Sequence, residues 1–385
     1  MEKSLSDLLD LPNVVVVAYG RIEASLYFQL ELINLSINCP HCQNSTKEVN
    51  QIRPAVVRDL PISGQSVYLK VPHRQFYCHK CHRYSTEKLS WLDSQRRHTQ
   101  RYESKIYSEV KAATIESVSR SEGLSFDEIE GIFNYISRCL DAEKKWPIAK
   151  RLSLDEIAMR SCHGNFKAVV SNIDSGQLIE LIDGRTQEIL IKTLTLLPVK
   201  FREAVEEVAI DMWAGFEKVI QQVFPKAKIV NDRFHVMQIL IKELKNLAYQ
   251  KGIRGVAKQS LLLKNQEDLE PEEKKELEKC LEGSKRLRKA YEYKEDFRSI
   301  YETSQTVEEG RSRFLEWLKK ASAIYGEVVN TIRCHLDSIC NYFLSHASSG
   351  VMEGINNKIK EIKRRSYGFT NFKNFRRRLL ASFIN

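Results

Sequence analysis

Glycine and proline are both scarce in this 385-residue sequence, at 16 and 9 residues or about 4% and about 2%, where roughly 7% and 5% are usual. The shortage excludes collagenous and low-complexity chains and points to a helix-rich, tightly connected protein. No stretch approaches the ~18 apolar residues of a membrane span, the longest aliphatic run being residues 14–17 followed by Ala18. The opening Met1-Glu2-Lys3-Ser4 carries an early acid and lacks a signal-peptide profile, so a cytoplasmic protein with no membrane partner is expected. Acidic excess is missing too. Lys and Arg number 60 against 50 Asp and Glu, a formal charge of +10, and 42% of residues are hydrophobic, which excludes a disordered chain. The basic surplus fits a polyanionic partner or mere solubility, and its distribution must decide. At roughly 100–200 residues per domain, the length implies two or three domains.

Nine cysteines give an odd count: two close pairs and the singles Cys139, Cys162, Cys280, Cys334 and Cys340. This suits metal binding in a reducing compartment better than a disulfide framework. Cys39-Pro40-His41-Cys42 and Cys78-His79-Lys80-Cys81 are Cys-x2-Cys knuckles with 35 residues between them. Four thiolates can meet at one tetrahedral Zn²⁺ and leave no position open for water, so the site is expected to be structural. His41, His79 and His82 are alternative ligands, and four ordinary buried cysteines are the competing reading. Residues 49–70 alternate as hairpin strands, as in a zinc ribbon. From Tyr102 the pattern turns helical. A short helix over 114–120 ends at Glu122-Gly123, and Ser125-Phe126-Asp127-Glu128 is a capping box opening a helix with Ile129, Ile132, Phe133 and Ile136 on its apolar face. That is the layout of a helix-turn-helix, or of any αα-corner.

Beyond Trp146-Pro147 the texture changes, which places a domain boundary near Lys150. Strands are expected over 151–157, 166–173 and 177–182, joined by turns at 161–165 and 174–176. A helix over 186–197 follows, with Ile189, Leu190, Leu194 and Leu197 on one side. A strand over 207–210 then runs into Asp211, a helix over 213–224 stops at Pro225, and a strand over 227–230 runs into Asp232. The order β-β-β-α-β-α-β is that of an RNase H-like sheet. Asp155 in the first strand and Asp211 closing the fourth offer hard oxygen ligands for Mg²⁺, with a third carboxylate wanted, although strand-end acids often just face solvent. Residues 234–344 carry long helical patterns, with a solvated charged hairpin over 265–289.

After Ser348-Ser349-Gly350 another helix begins, with Ile355, Ile359 and Ile362 as its buried stripe and Gly368 as a C-cap. Glu353, Asn357, Lys360 and Arg364 line a different face. Nine basic residues and one acid, Glu361, fall in residues 358–378, so eight of the ten surplus charges have an address here. Tyr367, Phe369, Phe372 and Phe375 among them either pack the final helix or stack on unpaired bases.

These parts together resemble the ISL-three family of bacterial insertion-sequence transposases, along nearly the whole chain. The resemblance rests on the two knuckles with Arg58-Asp59-Leu60-Pro61 between them, Leu154-Asp155-Glu156 and Asp211-Met212-Trp213. It continues through Phe224-Pro225-x-Ala227, Asp232-Arg233-Phe234-His235-Val236 and Gly350-x-x-Glu353-Gly354-x-Asn356, then Lys360, Arg364-Arg365 and Tyr367-Gly368-Phe369. Ser349-Gly350 stands where many relatives have Asn-Gly.

The resemblance implies an α+β multidomain chain: a zinc ribbon in 1–92, a helix-turn-helix module in 93–149, and an RNase H-like DDE core in 150–240 and 346–385, interrupted by a helical insertion at 241–345. It implies catalytic Asp155, Asp211 and Glu353 holding two Mg²⁺ or Mn²⁺ ions, with Asp232 and His235 as support. Asn357, Lys360, Arg364, Arg365, Arg376 and Arg377 are the implied DNA contacts. The implied partners are double-stranded DNA, as terminal inverted repeats and target, and a second copy in a dimer or larger assembly on DNA, associated with the nucleoid. The three carboxylates are expected to converge. The competing readings are a zinc-ribbon and helix-turn-helix transcriptional regulator, an inactive transposase relative, and an RNase H-like nuclease that hydrolyses without joining.

Overall fold

Alternation of apolar and polar residues builds a sheet at the amino terminus. The computed structural model of the chain describes residues 2–143, 146, 148–158, 166–346, 350–365 and 371–383. Pro147, the turn at 161–165 with Cys162, Ser348-Ser349 and Tyr367-Gly368-Phe369 lie outside the described residues. The chain forms two compact units, Met1–Lys144 and Lys145–Asn385.

The first unit contains α1 (Glu2–Leu9), β1 (Val14–Ile22), β2 (Ser25–Leu32), β3 (Ile37–Asn38), β4 (Ser45–Thr46), β5 (Val49–Ile62), β6 (Gln65–Cys78) and β7 (Arg83–Thr86), then α2 (Gln100–Ala112), α3 (Ile115–Glu122) and α4 (Phe126–Glu143). Its main sheet has the order β1-β2-β6-β5, with β7 also on β6. Val16, Phe28, Val57, Val67, Leu69 and Trp91 form its core. Strands β1 and β2 are an addition to the sequence reading, which weighed residues 14–17 only as a membrane span. The β5–β6 hairpin closes at Ile62 and Gln65 through Ser63-Gly64, both at positive φ, the two-residue turn whose twist matches antiparallel strands. In the helical part, Gly123 at φ 63° ends α3, where a left-handed cap favours glycine. The Ser125 amide donates to Glu128 Oε2 (3.0 Å) and the Glu128 amide to Ser125 Oγ (3.3 Å), so the capping box forms as expected. Ile129, Ile132 and Phe133 are buried, and Ile136 is half-buried.

The second unit begins with β8 (Arg151–Ala158), β9 (Phe166–Asn172), β10 (Gln177–Ile182), α5 (Gln187–Leu194), α6 (Val199–Ala204), β11 (Glu207–Ile210), α7 (Ala214–Val223) and β12 (Lys228–Asn231). It continues with α8 (Arg233–Gln250), α9 (Val256–Leu263), α10 (Pro271–Glu282), α11 (Lys285–Thr303), α12 (Val307–Cys334), α13 (Leu336–Cys340), α14 (Gly350–Arg365) and α15 (Phe372–Ser382). The sheet order is β10-β9-β8-β11-β12. Strands β10, β9 and β8 are antiparallel, whereas β11 runs parallel to both β8 and β12.

One sheet face, with Leu152, Leu154, Val170 and Ile210, packs on Leu190, Leu194, Phe201 and Phe216 of α5–α7. The other, with Ile157, Val169 and Leu181, is covered by Met352, Ile355, Ile359 and Ile362 of α14 and by Phe375 and Leu379 of α15. Each such buried side chain contributes roughly 1.5–3 kcal/mol. A third core, built by α8–α13, includes Val230 of β12.

Two local expectations need correction. The helix over 186–197 is shorter, and a second helix, α6, follows it. Ile189 is 37% exposed instead of sharing the inner side with Leu190 and Leu194, because it is one step of about 100° off their stripe. Phe375 is fully buried and packs the last helix, which answers its alternative reading as a base-stacking ring.

Candidate functional site

In the first unit the two knuckles meet. Cys39 Sγ lies 3.6 Å from Cys81 Sγ and Cys42 Sγ 3.6 Å from Cys78 Sγ, and all four sulfurs fall within 4.8 Å of one another. A tetrahedral Zn²⁺ with Zn–S near 2.3 Å needs sulfurs about 3.8 Å apart, so this donor set fits the ion. Backbone amides favour the thiolate at two of the four, while burial pushes the Cys81 thiol up to about 12. The His41 amide, opposed by burial, brings the Cys39 thiol down to about 6, and the Cys81 amide lowers Cys78. The nearby histidines are engaged elsewhere: His79 Nε2 with Glu48, His82 Nδ1 with Tyr77 Oη (3.0 Å) and His41 Nδ1 with Arg83 (3.3 Å). They do not replace the thiols.

In the second unit, strand register creates a row of acids. β8 pairs Leu154 with Ile210 of β11, and β11 pairs Ile210 with Asn231 of β12. The next residue on each chain segment is therefore in line: Asp155, Asp211, Asp232. Neighbouring strands are about 4.8 Å apart. Leu154 and Ile210 point into the α5–α7 core, so alternation turns Asp155 and Asp211 to the opposite face, the one that α14 covers.

Protein donors hold each carboxylate. Asp155 Oδ1 accepts from the Glu156 amide (2.7 Å) and Oδ2 from Asn356 Nδ2 of α14 (2.7 Å). Asp211 Oδ1 accepts from the Trp213 amide (3.0 Å), and Asp232 Oδ1 caps α8 through the Phe234 amide (3.0 Å). His235 Nδ1 sits 3.3 Å from Asp232 Oδ2, close enough for ion pairing but off the hydrogen-bond line. Burial raises the Asp211 carboxyl, and the Asp155 and Asp232 charges raise it further, against the Trp213 amide and His235. The Asp232 carboxylate raises the His235 imidazole, with burial opposing and Asp155 and Asp211 adding.

Glu353 is exposed in the first turn of α14, three residues before Asn356. Among the described residues, the four cysteines are the one group of three or more His, Cys, Asp or Glu ligands that closes to within 4.8 Å. Asp155, Asp211 and Glu353 do not form such a group. Sequence reading missed Asn356 as a site residue. Its signal was its place in the Glu353 motif, three residues on along one helix.

A family model described as a transposase, of the ISL3 DDE type, matches residues 152–379, more than half of the chain. The chain belongs to this family. In the transposase, residues 36–81 match the zinc finger of transposases IS204, IS1001, IS1096 and IS1165, and residues 87–137 match the helix-turn-helix domain of transposase family ISL3. The transposase for insertion sequence element IS1001 of Bordetella parapertussis is 27% identical over 360 residues, covering 90% of this chain and 88% of that one. The transposase for IS1557 of Mycobacterium tuberculosis is 25% identical over 258 residues, 57% of each chain. These matches favour a DNA-binding transposase with a DDE domain over the regulator reading.

The basic tail of the transposase is less open to DNA than its count suggests. Lys358 Nζ donates to Ser382 O (2.8 Å), Lys363 Nζ to Ala158 O (3.0 Å), and Arg365 pairs with Glu361 (2.7 Å). Arg376 forks onto Glu180 of β10, with Nε 2.5 Å from Oε1 and Nη2 on Oε2, while Arg378 is buried and Arg377 half-buried. Asn357, Lys360, Arg364 and Lys373 are exposed. Among the described residues, no helix is long and apolar enough to cross a membrane.

Proposed function

We propose that this transposase binds the terminal inverted repeats of its insertion sequence and cuts and joins DNA strands at Asp155, Asp211 and Glu353. These carboxylates would stand on an RNase H-like core formed by residues 150–240 and 346–385 and interrupted by a helical insertion at 241–345. One observation carries the reading. Three acids stand in register on adjacent strands, and Asn356 ties to the first of them the helix that bears Glu353.

The donor chemistry suits a hard divalent cation. Besides the carboxylates, Asn356 Oδ1 is buried without a hydrogen-bond partner. Asp155, Asp211 and Glu353 would hold two Mg²⁺ or Mn²⁺ ions, whose chemistry when bound is to polarise the phosphate and favour the attacking and leaving oxygens. Asn356 orients Asp155. Asp232 caps α8, and its carboxylate raises the affinity of the His235 imidazole for a proton beside the row. Strand cleavage by water and attack by the released 3′-hydroxyl on target DNA are both in-line displacements at a phosphodiester, so one set of carboxylates serves both. Asn357, Lys360 and Arg364 continue from Glu353 along the exposed side of α14 and would contact the DNA backbone, with Arg365 at its end and Arg377 adding to them from α15, whereas Arg376 is held by Glu180. The zinc ribbon of residues 1–92, with Zn²⁺ on its four cysteines, and the helix-turn-helix of 93–149 would read the ends. Two ends must be joined, so a dimer or larger assembly is expected on DNA.

A strand-transfer assay on labelled end DNA with Mg²⁺ tests this. The wild type cuts and joins, while Asp211→Asn and Glu353→Gln each lose at least about 10³-fold in rate and bind the ends as before. Full activity in either variant overturns the site.

A further inference from the structure

The Arg58-Asp59 pair in β5 has no part in the chemistry above, yet both residues are buried, at 8% and 1% exposure. They grip the helix-turn-helix at three points. The Arg58 amide donates to Arg97 O (2.8 Å) and the Thr99 amide to Arg58 O (3.0 Å), so the segment leading into α2 bridges directly to β5 at Arg58 and His98. Asp59 Oδ1 accepts from Thr99 Oγ1 (2.6 Å), the N-cap of α2, and from Arg101 Nε (2.8 Å), and Arg101 Nη2 completes the fork on Oδ2. Arg58 Nη2 donates to Glu122 O (2.8 Å) at the end of α3, with its guanidinium 5.1 Å from the Tyr102 ring centre. The start of α2 and the end of α3 are thus fixed to one rung of the sheet.

The zinc knuckles are fixed to another rung of the same hairpin. Val49 of β5 pairs with Phe76 of β6, and Cys78 closes β6 two residues later. The Tyr77 amide donates to Glu48 O (3.0 Å), and Thr46 Oγ1 donates to Tyr77 O (2.5 Å). Between the Val49–Phe76 rung and the Asp59–Val67 rung lie ten steps along β5 and nine along β6, a length of about 30–33 Å at about 3.3 Å per residue. Strands β2 and β1 brace this hairpin from the β6 side. One turn of B-DNA is about 34 Å.

We infer that β5–β6 is a fixed-length spacer that sets the zinc ribbon and the helix-turn-helix about one helical turn apart on one face of end DNA, with Arg58 and Asp59 as positioning residues. It rests on the reading that both modules touch DNA. Contacts that only stabilise the fold give no dependence on base-pair spacing. A clamp on a spacer does.

The test uses the full chain with zinc bound and duplex oligonucleotides of the element's own end. Hydroxyl-radical footprinting should show two protected blocks centred about 10 base pairs apart. Inserting 5 base pairs between them turns one block to the far side of the helix and should weaken binding on the order of 10²-fold. Asp59→Asn, and Arg101→Lys should Asp59→Asn not fold, should retain one zinc per chain, bind the native spacing about tenfold more weakly, and lose less than wild type on insertions of 1–2 base pairs. Wild-type binding indifferent to the 5-base-pair insertion overturns the spacer, as does an unchanged spacing profile in both folded variants. No protected block at all overturns the underlying reading of both modules instead.

Discussion

At Asp155 both carboxylate oxygens accept hydrogen bonds, and the donor from outside the strand is Asn356, 201 residues along the chain. A hydrogen bond to a charged group is worth about 1.5–3 kcal/mol. Asn356→Leu therefore frees the carboxylate and loosens α14 at the position that carries Glu353. Single-turnover cleavage should fall by tenfold or more with end binding unchanged; unaltered cleavage would show that Asn356 does not orient Asp155. The acids of this row were legible in the sequence because each ends or interrupts an apolar strand. Asn356 stood in the Glu353 motif, but nothing along the sequence ties a helix-borne asparagine to a strand carboxylate 201 residues away.

A second residue sets a pH limit. Burial holds the His98 imidazole down at about 4 from an ordinary 6.5, with Arg96, Arg58 and Arg97 adding and Glu128 opposing. Between these values the unfolded chain binds a proton that the folded chain does not. The stabilising contribution is thus complete above pH 6.5 and lost as pH falls toward 4. Melting temperature of the first unit's transition should decline over that window, and His98→Phe, which keeps the stack on Tyr102, should decline less. Parallel curves would dismiss His98 as the source.

At the scale of elements, periodicity located the second unit's strands to within a residue or two, and the capping box at Ser125 formed as read. Relations between elements were not readable. The row Asp155–Asp211–Asp232 depends on register across β8, β11 and β12, and no spacing along one chain fixes register between parallel strands joined by helices. Arg58-Asp59 stood out as a motif, but its grip on α2 and α3 reaches 42 residues to Arg101 and 64 to Glu122. Strand β1 escaped because residues 14–17 are apolar without a break, a pattern shared by buried strands and helices alike, whereas β2, with Phe28-Gln29-Leu30-Glu31-Leu32 alternating, was legible and went unread.

For the whole molecule the surplus of +10 divides into working and internal charge. Lys360 is exposed on α14, whereas Arg376 is committed to Glu180, a buried acid of β10. Lys360→Ala should lower the slope of log binding constant against log salt by about one and leave the melting temperature alone. Arg376→Ala should leave the slope alone and cost about 1–3 kcal/mol of stability by stranding Glu180. Salt titrations and melts of both variants check the pair; the reverse assignment of effects would move the DNA surface from α14 to α15.

Cover for one face of the catalytic sheet is translated well after its strands. Ile157, Val169 and Leu181 wait for Met352, Ile359, Phe375 and Leu379, whereas the amino-terminal sheet draws its core from residues 5–92. On the proposed reading, a stop codon before residue 350 removes Glu353 and leaves that apolar face bare, while sparing every residue of the end-reading unit. Decayed copies of such a gene would then encode rivals that occupy the ends without cutting them, and dosage of broken copies would restrain the intact one.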